Sequence, residues 1–318
     1  MQAHLIYNTQ AGSINGCTVE ALQSALEQVG YAPVCSATES EAALDDILED
    51  ISGLVVVAGG DGSVRAVVTR LIGKKDVPLA ILPMGTANNI ARTLNIPLDP
   101  LAIIAGLKEP QPFPFDIGRV RAPWGYDYFI EGAGFGFFAD ILATYDPEQG
   151  KSVWRGLEAL RDIYNQSNAY QNDLYLQGEE LSGDFLLVEV LNTTAVGPRL
   201  QFAQGASPGD GLLDLVCIQN SDKESFFHYL TGIFKKNLDR LETVTRRQVK
   251  NVCFNWKGFA MHIDGEVRPY DWLARQERAN MPPESRHLLP TASGEIEIDL
   301  IPGAITMWLP SMANGMIM

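Results

Sequence analysis

The first third of the chain alternates short apolar runs with stretches whose apolar residues recur every three or four positions. His4 to Asn8 reads as a short strand. From Val19 onward, Leu22, Leu26 and Val29 fall on one helical face, with Thr18 placed to cap the start and Gly30 to stop it. Thr38 and Glu41 have the spacing of a capping box, which predicts a second helix burying Ala42, Ile47, Leu48 and Ile51. Leu54 to Ala58 is apolar without interruption, as expected of a central parallel strand covered on both faces. Val64, Val67, Val68 and Leu71 return to helical spacing, and Leu79 to Leu82 gives a further buried strand. Strand and helix signals in this alternation predict a parallel sheet flanked by helices.

Near Phe113 the pattern changes. Short β-branched and aromatic runs, Tyr128 to Ile130, Asp173 to Leu176, Phe185 to Leu191 and Leu212 to Ile218, predict a largely antiparallel second domain. Two helical insertions are expected within it, one over about Trp154 to Tyr164 and one opening at the capping box Ser221 to Glu224. The last 19 residues, Leu300 to Met318, carry no charge, but Pro302, Gly303, Pro310 and Gly315 interrupt them. They read as a final strand, Ala304 to Leu309, and a tail, with membrane contact by the tail as the alternative. The expected division is a domain of residues 1–115 to which 300–318 return, and a second domain of residues 116–299.

Composition narrows the functional classes. The chain has 318 residues, 46% of them apolar, enough for one large core or two medium ones, which excludes disorder and small disulfide scaffolds. Its net charge of −15 argues against binding the backbone of nucleic acids, where clustered positive charge supplies most of the affinity. Cys17, Cys35, Cys217 and Cys253 form no CxxC pair and read as reduced thiols of a cytoplasmic protein. His4, His228, His262 and His287 have no zinc-site spacing, so a metal would be held by carboxylates. The N-terminus lacks the basic and apolar regions of a signal peptide.

Chemistry concentrates in two turns. Gly59-Gly60-Asp61-Gly62-Ser63 lies between a buried strand and a helix, where exposed backbone N–H groups and the helix dipole suit a phosphate. Asp61 at its centre needs a metal, a donor hydrogen bond or a proton to be useful there. Pro83-Met84-Gly85-Thr86-Ala87-Asn88 forms a second such turn after the next strand. Together they would line the C-terminal edge of the sheet.

These two segments resemble the catalytic-domain signature of the diacylglycerol kinase, sphingosine kinase and bacterial lipid kinase family. The resemblance continues in family order through Asp116-Ile117-Gly118, Gly132 to Gly136, Asp210-Gly211-Leu212-Leu213-Asp214 and Asp264-Gly265-Glu266. It implies an α/β plus β fold: an N-terminal α/β domain like that of NAD kinases and 6-phosphofructokinases, and a C-terminal β-sandwich with helical insertions. It also implies ATP-dependent transfer of a γ-phosphoryl group to a lipid hydroxyl, with nucleotide and Mg²⁺ in the cleft between the domains. Carried over residue by residue, Gly59, Gly60 and Gly62 would cradle phosphates, with Ser63 keeping the family's hydroxyl. Asn8, Gly85, Thr86 and Asn88 would hold the nucleotide. Asp61 would organise Mg²⁺ or the phosphates, Asp116, Asp210 and Asp214 would form a metal-linked network, and Glu266 would be the general base. Read without the family, Asp210 and Asp214 are ordinary turn caps and Asp264-Gly265 an ordinary hairpin turn.

The sequence departs from the family pattern in the loop after Asn8, at Arg65, at Asn89 where aspartate is common, and at Glu131 where asparagine is common. Val267 to Gly294 is long, with four prolines, and reads as an inserted loop near the acceptor or, equally, as an exposed decoration. Lys235, Lys236, Arg240, Arg246, Arg247 and Lys250 stand against only Asp239 and Glu242, a basic patch suited to weak docking at an anionic bilayer. The expected setting is thus cytoplasmic, peripheral at the inner membrane face, with a lipid substrate, no nucleic acid, and a homodimer as a compatible state. The alternatives to a lipid kinase are a kinase of a soluble metabolite from the same superfamily and a non-catalytic nucleotide- or lipid-binding regulator.

Overall fold

The structure, a computed structural model, describes residues 1–8, 17–38, 42–144, 169–220, 243–269 and 293–311. The expected helices over Trp154 to Tyr164 and from Ser221, and nearly all of the Val267 to Gly294 segment, lie outside the described residues. The chain forms two compact units. One comprises Met1–Ile117, Ser207–Gly211 and Ile301–Met318, the other Gly118–Ala206 and Leu212–Leu300.

In the first unit β1 (Gln2–Asn8) lies between β2 (Ala32–Thr38) and β3 (Leu54–Gly59), parallel to both, with Leu5 level with Cys35 on one side and Val56 on the other. β4 (Leu79–Pro83) continues the parallel sheet beside β3, and Met307 of the last strand pairs parallel with Leu79. Every residue of β3 and β4 is buried, which explains their unbroken apolar sequence. α1 (Val19–Gln28) starts as expected: the Ala21 N–H donates to the Thr18 hydroxyl at 3.2 Å, and Leu22 and Leu26 are buried.

The expected capping box fails. α2 (Ala43–Leu48) starts with Ala42 at its cap position and no side-chain cap, while Thr38 ends β2 and donates its hydroxyl to the Tyr7 carbonyl. The ladder between β1 and β2 competes for Thr38 and wins. α3 (Asp61–Leu71) buries Val64, Val67, Val68 and Leu71. α4 (Asn89–Thr93) and α5 (Pro100–Gly106) follow β4, the latter capped by Asp99, which accepts the Leu101 N–H.

The second unit is largely antiparallel. It takes the end of β5 (Gln111–Ala122) and then β6 (Gly125–Phe129), β7 (Gly132–Gly136) and α6 (Phe137–Thr144). The two long strands β8 (Tyr170–Leu176) and β9 (Glu179–Leu191) come next, then the short β10 (Ala195–Val196) and β11 (Leu200–Gln201). They are followed by β12 (Leu213–Gln219), β13 (Val244–Val249) and β14 (Asn251–Trp256). β15 (Met261–Ile263), β16 (Glu266–Arg268) and β17 (Gly294–Leu309) complete the chain. Neighbours run β16-β15-β7-β9-β8-β14-β17, with β12 and β13 attached through β9. The core is aromatic: Phe135 packs 4.7 Å from Phe259 and 5.1 Å from Phe254 between ring centroids. Among the described residues no helix is long and apolar enough to cross a membrane.

Candidate active site

The two glycine turns of the first unit touch each other. A Cβ built on Gly85 would lie 2.5 Å from the Gly60 Cα, and one on Gly60 would lie 3.1 Å from the Gly85 Cα. Gly85 therefore requires glycine for this close approach of backbone to backbone, and Gly60 leaves only tight room for a side chain. The Met84 N–H donates to the Gly59 carbonyl at 2.9 Å and fastens the turns together. By contrast, a Cβ on Gly62 would meet nothing within 4 Å. This open residue sits in the first turn of an 11-residue helix, where backbone N–H groups lack intrahelical partners.

Side chains then lock the turns. Asn88 adopts a left-handed backbone (φ 53°) and brackets Gly85, its Oδ1 accepting the Gly85 N–H and its Nδ2 donating to the Gly85 carbonyl, both at 2.8 Å. Asn88 thus spends its side chain on the turn and gives α4 no side-chain cap. Asp61 supplies that cap from the other turn: its Oδ1 accepts the Ile90 N–H at 3.2 Å, with the backbone N–H groups of Asn89 and Asn88 also contributing. Of the three uses open to Asp61, donor hydrogen bonds are the one observed. Burial raises its pKa above the ordinary aspartate value, and the backbone donors pull the other way. Thr86 is exposed and Ser63 half-buried. Asn8 ends β1, its backbone paired with Thr38.

The expected metal network takes a different form. Asp116 is buried, and its two carboxylate oxygens accept the Gly303 N–H at 2.7 Å and the Gly211 N–H at 2.8 Å. Its own N–H donates to the Pro208 carbonyl, so one residue ties three separate segments of the first unit. Asp210 is exposed beside Gly211. Asp214 lies within β12 in the second unit and pairs with Arg246 of β13 at 2.8 Å. That pairing also removes Arg246 from the expected basic patch. Among the described residues no group of three or more His, Cys, Asp or Glu could hold a metal ion. Backbone donors engage Asp61 and Asp116, and Arg246 engages Asp214.

In the second unit Asp264-Gly265 forms the tight turn between β15 and β16, both residues at positive φ (49° and 79°). Asp264 does more than turn the chain: its carboxylate accepts the N–H groups of Ile130, Glu131 and Gly132 at 2.8–3.0 Å. Glu131 in turn accepts the Gly197 N–H at 3.0 Å, a structural use for a residue that departs from the family pattern. Glu266, the first residue of β16, keeps half of its side chain exposed and pairs with the Arg268 guanidinium at 3.0 Å.

Four residues of this hairpin's surroundings were not legible as site residues. Arg268 is wholly buried and held by Asp127 of β6 at 2.5 Å. Behind the turn, His262 and Glu189 form a pair with no exposure, Nε2 lying 2.8 and 3.0 Å from the carboxylate oxygens. The Gly265 N–H donates to His262 Nδ1, so the ring proton sits on Nε2 and goes to Glu189. Gly134 makes the room: a Cβ there would lie 2.6 Å from Glu189 Oε2. Only the same-face spacing of Glu266 and Arg268 on a strand could have signalled any of this.

The comparisons with known proteins make this chain, with its two interlocked glycine turns, a phosphotransferase with an alcohol acceptor. Residues 2–120 match the family described as diacylglycerol kinase catalytic domain, and residues 148–276 the YegS C-terminal NAD kinase beta sandwich-like domain. Both matches agree with the resemblance to the diacylglycerol kinase and bacterial lipid kinase family read from the motifs. The chain is 29% identical over 251 residues to a diacylglycerol kinase of Bacillus subtilis, covering 72% of this chain and 78% of that one. A Pseudomonas aeruginosa protein named "Probable lipid kinase YegS-like" is 31% identical over 164 residues, covering 51% and 53% of the two chains. The fold is shared with a crystal structure of a diacylglycerol kinase from Bacillus anthracis, at TM-score 0.64 and 16% identity over 97% of this chain and 96% of that one. It is shared at greater distance with yeast NADH kinase, at TM-score 0.52 and 10% identity over 98% and 84%.

Proposed function

We propose that the chain transfers the γ-phosphoryl group of ATP to a hydroxyl of a diacylglycerol-like or sphingoid lipid, meeting its substrate as a peripheral protein at the inner membrane face. The contact of Gly60 with Gly85 carries this reading. That backbone-on-backbone packing holds the two turns together beside the open first turn of α3 at Gly62, and phosphate groups are held by such exposed backbone. Gly59, Gly60, Gly62 and Ser63 receive the phosphates in this reading, and Asn8, Gly85, Thr86 and Asn88 hold the rest of the nucleotide. Glu266 accepts the proton of the acceptor hydroxyl. The hydroxyl oxygen then bonds to the γ-phosphorus as the bond to the bridging oxygen breaks, and ADP leaves with that oxygen. Phosphoryl transfer asks for positioning more than covalent chemistry, so one carboxylate suffices.

The test is transfer of labelled phosphate from ATP to a panel of lipids in mixed micelles with Mg²⁺, comparing wild type with Glu266→Gln. A labelled lipid that falls by about a hundredfold or more in the variant supports the reading. Labelling of a water-soluble alcohol alone, or ATP binding with no product, rejects it.

A further inference from the structure

We propose that Arg268 is the positioning residue of Glu266, anchored for that task by Asp127; this rests on the reading of Glu266 as the base. Three observations carry it. Glu266 and Arg268 are alternate residues of one short strand and so project to the same face, where the guanidinium Nη2 donates to Glu266 Oε2 at 3.0 Å. The arginine itself has no exposure, whereas half of the glutamate side chain is exposed. A buried guanidinium is retained in a protein only when its donors are matched, and here Nε donates to Asp127 Oδ2 at 2.5 Å and Nη1 to the Val267 carbonyl at 3.1 Å. Arg268 therefore stays fixed by partners other than Glu266. The result is a rigid donor to one carboxylate oxygen of a side chain that is half exposed.

The geometry has a chemical consequence. An exposed glutamate samples several rotamers, and its ordering costs entropy when the acceptor arrives. A two-point anchored guanidinium selects one orientation of the carboxylate before substrate binds, as effective general-base catalysis requires. Arginine suits the task better than lysine because its planar fork holds Asp127 and Glu266 through different nitrogens at once. Arg268 is a positioning residue and not a catalytic one, since its own guanidinium is covered.

The experiment is a double-mutant cycle read in steady-state kinetics of the full chain: wild type, Arg268→Lys, Glu266→Gln and the pair. Arg268→Lys is expected to lower kcat by about ten- to a hundredfold, with KM for ATP unchanged. It is expected to lower kcat no further when Glu266 is already Gln. A merely structural role would multiply the two losses, and that result overturns the proposal. Should Arg268→Lys not fold, Asp127→Asn is read in the same cycle, with the same two outcomes. Loss of activity in Glu266→Gln together with wild-type kcat in folded Arg268→Lys overturns the positioning role alone. Full activity in Glu266→Gln overturns the base reading and the positioning role with it.

Discussion

The Ile90 N–H donates to the Asp61 carboxylate at 3.2 Å, so a side chain in the first turn of α3 caps a different helix, α4. Helix caps ordinarily come from the residue just before the helix, and Asn88 is there but is engaged with Gly85. Replacing Asp61 by Ala is expected to cost about 1 kcal/mol of stability, and to loosen both turns enough to weaken ATP binding. Calorimetry with ATP and denaturant unfolding would check both.

The sign of the pH dependence at Asp61 follows from its raised pKa. A carboxyl whose pKa is higher in the folded than in the unfolded state binds more protons when folded. Its contribution to stability is present at acid pH and is lost as pH rises through the folded-state pKa. The stability of wild type minus that of Asp61→Asn is therefore expected to fall as pH is raised from about 4 toward neutrality. A difference that grows over that range would refute the dominance of burial over the backbone donors.

Gly62 and Gly85 are expected to separate folding from binding. Gly85→Ala drives a Cβ to 2.5 Å from the Gly60 Cα and should destabilise the first unit by more than 1 kcal/mol. Gly62→Ala places its methyl in open space within a helix and should raise stability by about 0.4–1 kcal/mol. If phosphates occupy that space, the same methyl weakens ATP binding. Unchanged ATP affinity in a stabilised Gly62→Ala protein would remove Gly62 from the cradle.

Asp116 distinguishes a structural tie from a metal ligand. With both oxygens accepting backbone N–H groups, Asp116→Asn turns an amide NH₂ toward one donor and should cost about 1–3 kcal/mol. The Mg²⁺ concentration giving half-maximal activity is expected to stay the same. A shift of several-fold in that concentration, without loss of stability, would restore Asp116 to the metal.

The Glu189–His262 pair is fully covered, so cutting one partner strands the other. Glu189→Ala leaves the His262 ring N–H without an acceptor and is expected to destabilise the protein by about 1–3 kcal/mol. Chemical denaturation would measure this; a loss below about 1 kcal/mol would mean that the uncovered ring N–H finds another partner.

Much of the architecture could be read from periodicity, because a helix or strand is chosen by neighbours a few positions away. The covered run Leu54 to Ala58 and the cap at Thr18 both stand in the structure as expected. Where a distant partner competes, local reading fails. Thr38 has the spacing of a capping box but gives its hydroxyl to Tyr7, 31 residues earlier. The site divides in the same way. Its glycine turns, Asp61 and Glu266 were visible as motifs, yet the partners of those residues were not.

The sequence alone thus determined the alternation of strand and helix through β4, the two glycine turns and the resemblance to a family, since each resides in short contiguous stretches. Only the tertiary structure decided what the acidic residues do. Asp116 meets Gly303 across 187 positions, and Arg268 meets Asp127 across 141. Whether a carboxylate binds a backbone N–H, an arginine or solvent depends on what the fold places within about 3 Å of it. Burial completes the decision: it obliges Arg268 and His262 to find acidic partners, and no local pattern of residues announces which positions will be covered.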